Sequence, residues 1–304
     1  MQRRQFIQTT GALALTLGLP QRLRASQGLD FGGTRIDIVS DGYLELPPDF
    51  AVPEGHEQEL RELIARYGLS EELYEPPCNL VLLRDGSRTV LFDVGAGPDF
   101  MATAGHMADA MDALGVAPED VTHLVVTHAH PDHIWGMLDD FDDPLLPNAE
   151  VMIGRTEFDY WMDPDTIDSI GALRQSFAVG AQRRLSVIED RVQLFEDGAE
   201  ILPGIQAVAS FGHTPGHMAF ELRAGGQGLM IVGDALANPH LAFERPHWPG
   251  SMDQLPDVAA ATRARLLDRI TADDLLIAGF HFPDGGIGRA ERRAEDRYVF
   301  TAGV

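Results

Sequence analysis

The sequence predicts an α/β fold in which two sheets pack face to face and helices cover their outer faces. Three observations predict it. Apolar runs of strand length recur in groups along the 304 residues, amphipathic stretches with helical spacing fall between them, and no repeat or Pro- or Ser-rich linker divides the chain. With 44% hydrophobic residues the chain can bury one large core or two small ones. The absence of a linker favours a single domain over residues 26–304.

Taken in order, residues 35–40 (RIDIVS) alternate apolar and polar side chains and read as a strand, followed by the Gly/Pro-rich loop SDGYLELPPDF. EQELRELIARY, 57–67, has leucines at helical spacing and reads as a short amphipathic helix. In NLVLLRDGSRTVLFDVGAG two apolar runs flank Asp85-Gly86, a hairpin signal. A helix is expected over 103–115, with Gly115 at its end, and then a buried strand over 123–128 (HLVVTH). The second half predicts a strand at 149–153, helices at 155–161 and 170–185, and strands at 205–209, 217–223 and 228–232. A long helix over about 255–269 and the strand LLIAGF at 275–280 complete it.

Forty-seven acidic residues face 23 basic ones, all of them arginine, for a formal charge of −24. That balance excludes nucleic acid as a partner, because phosphates need Lys and Arg to neutralise them. It equally opposes anionic membrane surfaces and describes a strongly solvated exterior. The one cysteine, Cys78, rules out an intrachain disulfide and a Cys-rich metal site. Placed before NLVLLR, it reads as a small buried residue. The N-terminus, MQRRQFIQTTGALALTLGLPQRLRA, starts basic and becomes mildly apolar, too short and too weakly so for a stable membrane span. RRQFI resembles the twin-arginine export signal, with Gln8 where lysine is usual. That resemblance implies a leader over residues 1–25 and delivery of the folded, metal-loaded chain to the periplasm or beyond.

The chemistry concentrates at VVTHAHPDHIWG, residues 125–136. His128 and His130 come directly off a strand, and in extended geometry residues two apart point the same way. Pro131 biases the preceding residues away from helix. The chain then turns into a helix near Asp132, which aims Asp132 and His133 at a second point. One stretch so offers two ligands to each of two sites. Histidine nitrogens and carboxylate oxygens suit Zn²⁺, and also Mn, Fe or Co. Further ligand types sit just past other apolar strands: His213 in FGHTPGH, Asp234 in MIVGDA and His281 in IAGFHFP.

H-x-H-x-D-H, then G-H-T-P-G-H, then G-D and a late histidine resemble the signature of the metallo-β-lactamase fold superfamily over about residues 35–290. The resemblance implies a four-layer αββα sandwich with a dinuclear site at one edge. By that resemblance His128, His130 and His213 would hold the first metal, and Asp132, His133 and His281 the second. Asp234 would bridge both. Asp93, in VLFDVGAG, matches an aspartate that supports the metal loop, and His217 matches a structural histidine. Two divalent ions about 3.5–4 Å apart would share a water and lower its pKa from about 15.7 toward neutrality. The resulting hydroxide would attack an ester, lactone or phosphotriester, with Asp132 orienting it and handling a proton.

Within the superfamily the chain most resembles methyl parathion hydrolase-like and acyl-homoserine-lactonase-like enzymes, on IVSDGYLELP, LPNAEVMIGRTEFDYW and GFHFPDGGIG. Ala237 stands where the lactonase group commonly has a tyrosine. A bridging Asp234 argues against a true β-lactamase, and the missing lysines argue against a glutathione thioesterase. An iron-dependent sulfur or persulfide oxidoreductase is the alternative activity on the same fold. Phe100, Tyr160 and Trp161 either line an aromatic substrate pocket or are ordinary core aromatics. Trp135 reads as packing, and His240 and His247 either rim the site or are exposed loop residues. The expected partner is a small-molecule substrate, and a homodimer is left open.

Overall fold

The computed structural model of the protein describes residues 28–47 and 56–303, so the export-signal expectation for residues 1–25 lies outside the described residues. The first sheet is built from β1 (Leu29–Phe31), β2 (Thr34–Tyr43), β3 (Pro77–Arg84), β4 (Thr89–Phe92), β5 (His123–Val126), β6 (Glu150–Gly154) and β7 (Val192–Phe195), paired in chain order. Strands β1 to β4 pair antiparallel, and β4 to β7 pair parallel. The helices α1 (Glu57–Tyr67), α2 (Met107–Asp112), α3 (Pro131–Ile134), α4 (Arg155–Met162), α5 (Thr166–Ser169) and α6 (Gln175–Ile188) fall between these strands. The second sheet runs β8 (Glu200–Leu202), β9 (Ile205–Ala209), β10 (Met218–Ala224), β11 (Gln227–Ile231), β12 (Leu276–Ala278), β13 (Ile287–Ala294) and β14 (Arg297–Ala302). Between β11 and β12, which pair parallel, lie α7 (Leu241–Glu244) and α8 (Pro256–Ala272).

The side-chain period of two explains the layers. In β3, Leu80 and Leu82 pack under helices α2 and α6, while Val81 and Leu83 face the other sheet. In β11, Leu229 and Ile231 face the first sheet, and Met230 packs with Leu266, Leu267 and Ile270 of α8. Both faces of these strands are buried, so they read as continuous apolar runs rather than alternating ones. The result is the expected αββα sandwich, with one core between the sheets and one under each helical layer.

The structure departs from the sequence reading chiefly in two helix bounds and in the strands β1, β7, β8, β13 and β14, which the sequence did not suggest. The helix expected over 103–115 begins only at Met107. Residues 103–106 give their backbone groups to the first sheet: Tyr43 N donates to Thr103 O at 2.9 Å, and Ala104 bridges Gly42. The helix expected over 170–185 is displaced to Gln175–Ile188, because Gly171 takes a positive φ of 91° and a tight turn precedes the helix. The hairpin of β13 and β14 went unseen. It lies at the edge of the second sheet and carries Arg289, Glu291, Arg292, Arg293 and Arg297, so it shows no apolar run.

Candidate metal centre

Strand ends β4, β5, β9, β11 and β12 all open on one edge of the sandwich. After β4, Asp93 turns the chain with a φ of 61° and a buried side chain. Its Oδ1 accepts the Thr127 backbone N–H at 2.7 Å, and its Oδ2 accepts Thr127 Oγ1 at 2.8 Å. Asp93 so pins the chain where it leaves β5. His128 to His130 follow, and His130, extended with φ −71° and ψ 160°, caps α3. Pro131 takes the first helical position, where its missing N–H leaves no bond unmade. One turn of helix then carries Asp132 and His133 to the other side. The loop after β4 closes on this turn through Val94 N–His133 O at 2.8 Å and Gly136 N–Gly95 O at 2.9 Å. A Cβ at Gly136 would come within 2.2 Å of Val94 O, so that approach requires glycine.

The structure brings all seven expected ligand residues together in buried positions. His128, His130, His213 and Asp234 form one group whose ligand atoms lie within 4.8 Å of one another, and His133, Asp234 and His281 form another. Asp132 joins the second group, with Oδ2 at 3.3 Å from His281 Nε2 and 3.6 Å from His133 Nε2. Asp234 reaches both groups: Oδ2 is 3.3 Å from His213 Nε2 and 3.5 Å from His281 Nε2, and Oδ1 is 3.4 Å from His133 Nε2. Cys78, buried in β3, sits within ligand distance of Asp132 and His281, and burial pushes its thiol up to about 12.

The donor set fits cations. His130 Nδ1 faces His128 Nε2 at 3.0 Å and His213 Nε2 at 2.9 Å, so three ring nitrogens converge where hydrogen bonding cannot satisfy all of them. His133 Nε2 and Asp234 Oδ1 are buried without a hydrogen-bond partner among the described residues. Three of the far nitrogens are committed to acceptors: His133 Nδ1 to Asp93 at 2.8 Å, His281 Nδ1 to the Pro77 carbonyl at 2.9 Å, and His213 Nδ1 to Asp253 at 3.4 Å, whereas the far nitrogen of His130, Nε2, has no partner among the described residues. Such partners place the proton on the far nitrogen and leave the near one as a lone pair. His217 is different. Its Nε2 accepts the Asp234 backbone N–H at 2.9 Å and its Nδ1 pairs with Ser210 Oγ at 2.7 Å, so both nitrogens are used. It holds the backbone of Asp234, and neither of its nitrogens is left free to ligate.

Electrostatics separates the two halves. Burial, with the neighbouring His133 and His130 rings, holds His128 well below its ordinary value, and burial with His213 does the same to His130. Both are neutral and able to ligate. Burial also works against a charge on His133, but Asp132, Asp234 and Asp93 outweigh it and carry His133 up to about 10. Without ions, a proton on His133 takes their place. A group raised from 6.5 to about 10 contributes stability that is complete below pH 6.5 and is lost as pH rises through about 10. The melting temperature of chelator-treated protein is therefore expected to fall over that interval relative to metal-replete protein. Parallel pH profiles of the two would contradict this.

Five of the seven, His130, Asp132, His213, Asp234 and His281, line the floor of a cavity of about 150 Å³ with a mainly apolar wall, including Leu44, Leu46, Phe100, Phe177, Leu241 and Trp248. Of the three aromatics weighed from sequence, only Phe100 lies on this wall. Trp161 is fully buried behind His130, and Tyr160 packs against the helical core, so the expectation that they line the pocket is corrected. Their place is taken by Phe177, which contacts Phe100 edge-on at 6.4 Å, and by Trp248. His240 packs at a tilt against Tyr67 and His247 is exposed beside Asp296, and neither lines the cavity. Tyr74 stands on the wall next to Ala237 and Asn238, and its hydroxyl accepts from Asn238 Nδ2 at 3.1 Å.

Supporting carboxylates escaped the sequence reading, Asp253 and Asp41 among them. Asp253, held by Arg263 Nη1 at 2.9 Å and Gly250 N at 2.7 Å, backs His213. Asp41 accepts backbone N–H groups of Ala96, Gly105 and Met107, and burial raises it to about 6 despite them. No local pattern marks either one.

Residues 73–281 match the family model of the metallo-beta-lactamase superfamily. Among curated relatives, the chain is 31% identical over 154 residues to "N-acyl homoserine lactonase AttM" of Azorhizobium caulinodans, covering 49% of this chain and 51% of that protein. It is 27% identical over 185 residues to the protein of the same name from Agrobacterium fabrum, covering 58% and 64%. The match therefore spans between half and two thirds of those relatives' length. Among solved structures it is similar to "AidC, a Dizinc Quorum-Quenching Lactonase", in complex with a product, at TM-score 0.86 and 22% identity over 93% of this chain and 99% of that one. It is also similar to "hydrolase AbOPH in beta lactamase superfamily" at TM-score 0.84 and 24% identity over 91% and 97%. These likenesses establish the fold, and with a family match over most of its length the chain belongs to the metallo-beta-lactamase superfamily.

Proposed function

We propose that this chain is a dinuclear metal-dependent hydrolase of lactones and related esters that carry an apolar tail. The observation that carries the reading is two groups of ligand-capable side chains, joined by Asp234, with members of both on the floor of an apolar cavity. His128, His130 and His213 would hold one ion and Asp132, His133 and His281 the other, with Asp234 between them; Zn²⁺ suits the nitrogen and carboxylate donors best. Two such ions supply Lewis acidity, which polarises a scissile carbonyl and acidifies a water.

The chain's own residues do the rest. Burial would raise the Asp132 carboxyl, but His133 and His281 outweigh it and hold it below the ordinary value. Asp132 is thus ionised on the cavity floor, where it orients the attacking water and accepts its proton. Burial keeps the Tyr74 hydroxyl protonated up to about 12, so it can donate to the substrate's carbonyl oxygen from the wall. It shares the cavity wall with Ala237 and is held there by Asn238 Nδ2. The name of the AttM relatives supports a lactone, and the apolar wall suits an acyl tail.

The test is a screen of short- and long-tailed lactones, aryl esters and phosphotriesters on one metal-replete preparation. Lactone turnover is expected to lead. A protein loaded with two ions that turns over no lactone or ester would overturn the reading. Removing a wall aromatic costs a long tail about 1.5–3 kcal/mol of burial, or roughly 10- to 100-fold. Phe177→Ala and Phe100→Ala are therefore expected to lower kcat/KM for long-tailed lactones by that factor and to leave short ones nearly unchanged. Equal losses on both would count against the wall as a tail site.

A further inference from the structure

Glu157 lies wholly buried on α4, on the same helical face as Trp161 four residues later. Its carboxylate accepts four hydrogen bonds. Oε1 takes the Ala129 backbone N–H at 2.9 Å and Trp161 Nε1 at 2.6 Å. Oε2 takes Thr214 Oγ1 at 2.7 Å and the Gly216 backbone N–H at 3.0 Å. These donors come from three segments. Ala129 separates His128 from His130, Thr214 follows His213, and Trp161 packs its ring edge-on to His130 at 5.9 Å. The contact with the second loop is close, since a Cβ at Gly216 would fall 2.1 Å from Glu157 N. The other half of the centre is anchored elsewhere: His133 by Asp93 and His281 by the Pro77 carbonyl.

From this geometry we infer that Glu157 is a positioning residue for one half of the centre only, locking the His128–His130 and His213 loops together and setting the affinity of that half for its ion. The inference rests on the two-ion reading above. A carboxylate is the one side chain here that accepts on both oxygens. Glutamine in its place turns an amide NH₂ toward either Ala129 and Trp161 or Thr214 and Gly216, and frees one of the two loops.

The full chain, stripped by chelator, is titrated with Zn²⁺, and the two stepwise dissociation constants are read by chelator competition alongside the melting temperature. His213→Ala identifies which constant belongs to the first half. Glu157→Gln is expected to weaken that constant by about 10- to 100-fold and to change the other by no more than about twofold. Thr214→Val, a milder change that keeps the carboxylate, weakens the same constant by less, and Thr214→Ser restores it. Both constants weakening together, or neither moving in either variant, would overturn the role of Glu157. A wild-type chain that binds no second ion would instead overturn the two-ion reading beneath it.

Discussion

Asp234→Ala is expected to abolish measurable turnover and to leave the purified protein short of its full metal complement. The reason is position. Asp234 faces His213 and His281 through Oδ2 and His133 through Oδ1, so it alone spans both ligand groups. Burial would raise its carboxyl, but His281 and His133 outweigh it and hold Asp234 well below its ordinary value. Its aim is fixed from behind, by its backbone N–H on His217 Nε2 and by Gly233 with a positive φ of 48°. Metal-based charge stabilisation is worth several kcal/mol in the transition state, so its loss slows the reaction by about a thousandfold or more. His130→Ala, which removes the nitrogen where three rings converge, is expected to behave alike. Metal analysis and lactone turnover on the same preparation check both variants.

Asp93→Ala is expected to damage stability and metal binding together, although Asp93 holds no ion itself. Its carboxylate is the acceptor for Thr127 N, Thr127 Oγ1 and His133 Nδ1, all buried. Each buried donor left without an acceptor costs about 1–3 kcal/mol. Loss of the partner that orients His133 weakens an ion at that half by about 10- to 100-fold. Denaturant unfolding with and without Zn²⁺, together with chelator competition, separates the two effects. Asp93→Asn, which keeps one acceptor oxygen, is expected to fall between wild type and Asp93→Ala. Unchanged stability and unchanged metal affinity in Asp93→Ala would contradict the account.

The sequence exposes the positions of the seven ligand-type groups because each follows the end of an apolar strand, and strand ends share an edge. His128 and His130 stand two apart off β5, and His213, Asp234 and His281 stand just beyond β9, β11 and β12. The longer buried strands are legible for a similar reason, since apolar runs and the Asp85-Gly86 turn are local signals. The supports are not legible. Asp253 acts on His213 across 40 positions, Asp41 on Ala96 across 55, and Glu157 on Thr214 across 57. Nothing in the neighbourhood of these carboxylates says what they accept from. Glu157 carries one weak sign, an acid on the apolar face of a helix beside Phe158 and Trp161. The pocket wall fails for a different reason. Trp161 must turn inward to bring Nε1 to Glu157, while Phe177 of α6, to which the sequence reading gave no pocket role, lines the cavity.

The most direct test of the two-ion claim is a count of ions bound to the full chain by native mass spectrometry after reconstitution with Zn²⁺. The account predicts two ions per chain in the wild-type protein, both removed by chelation together with lactone turnover. A chain that hydrolyses lactone at full rate with no ion bound would contradict it.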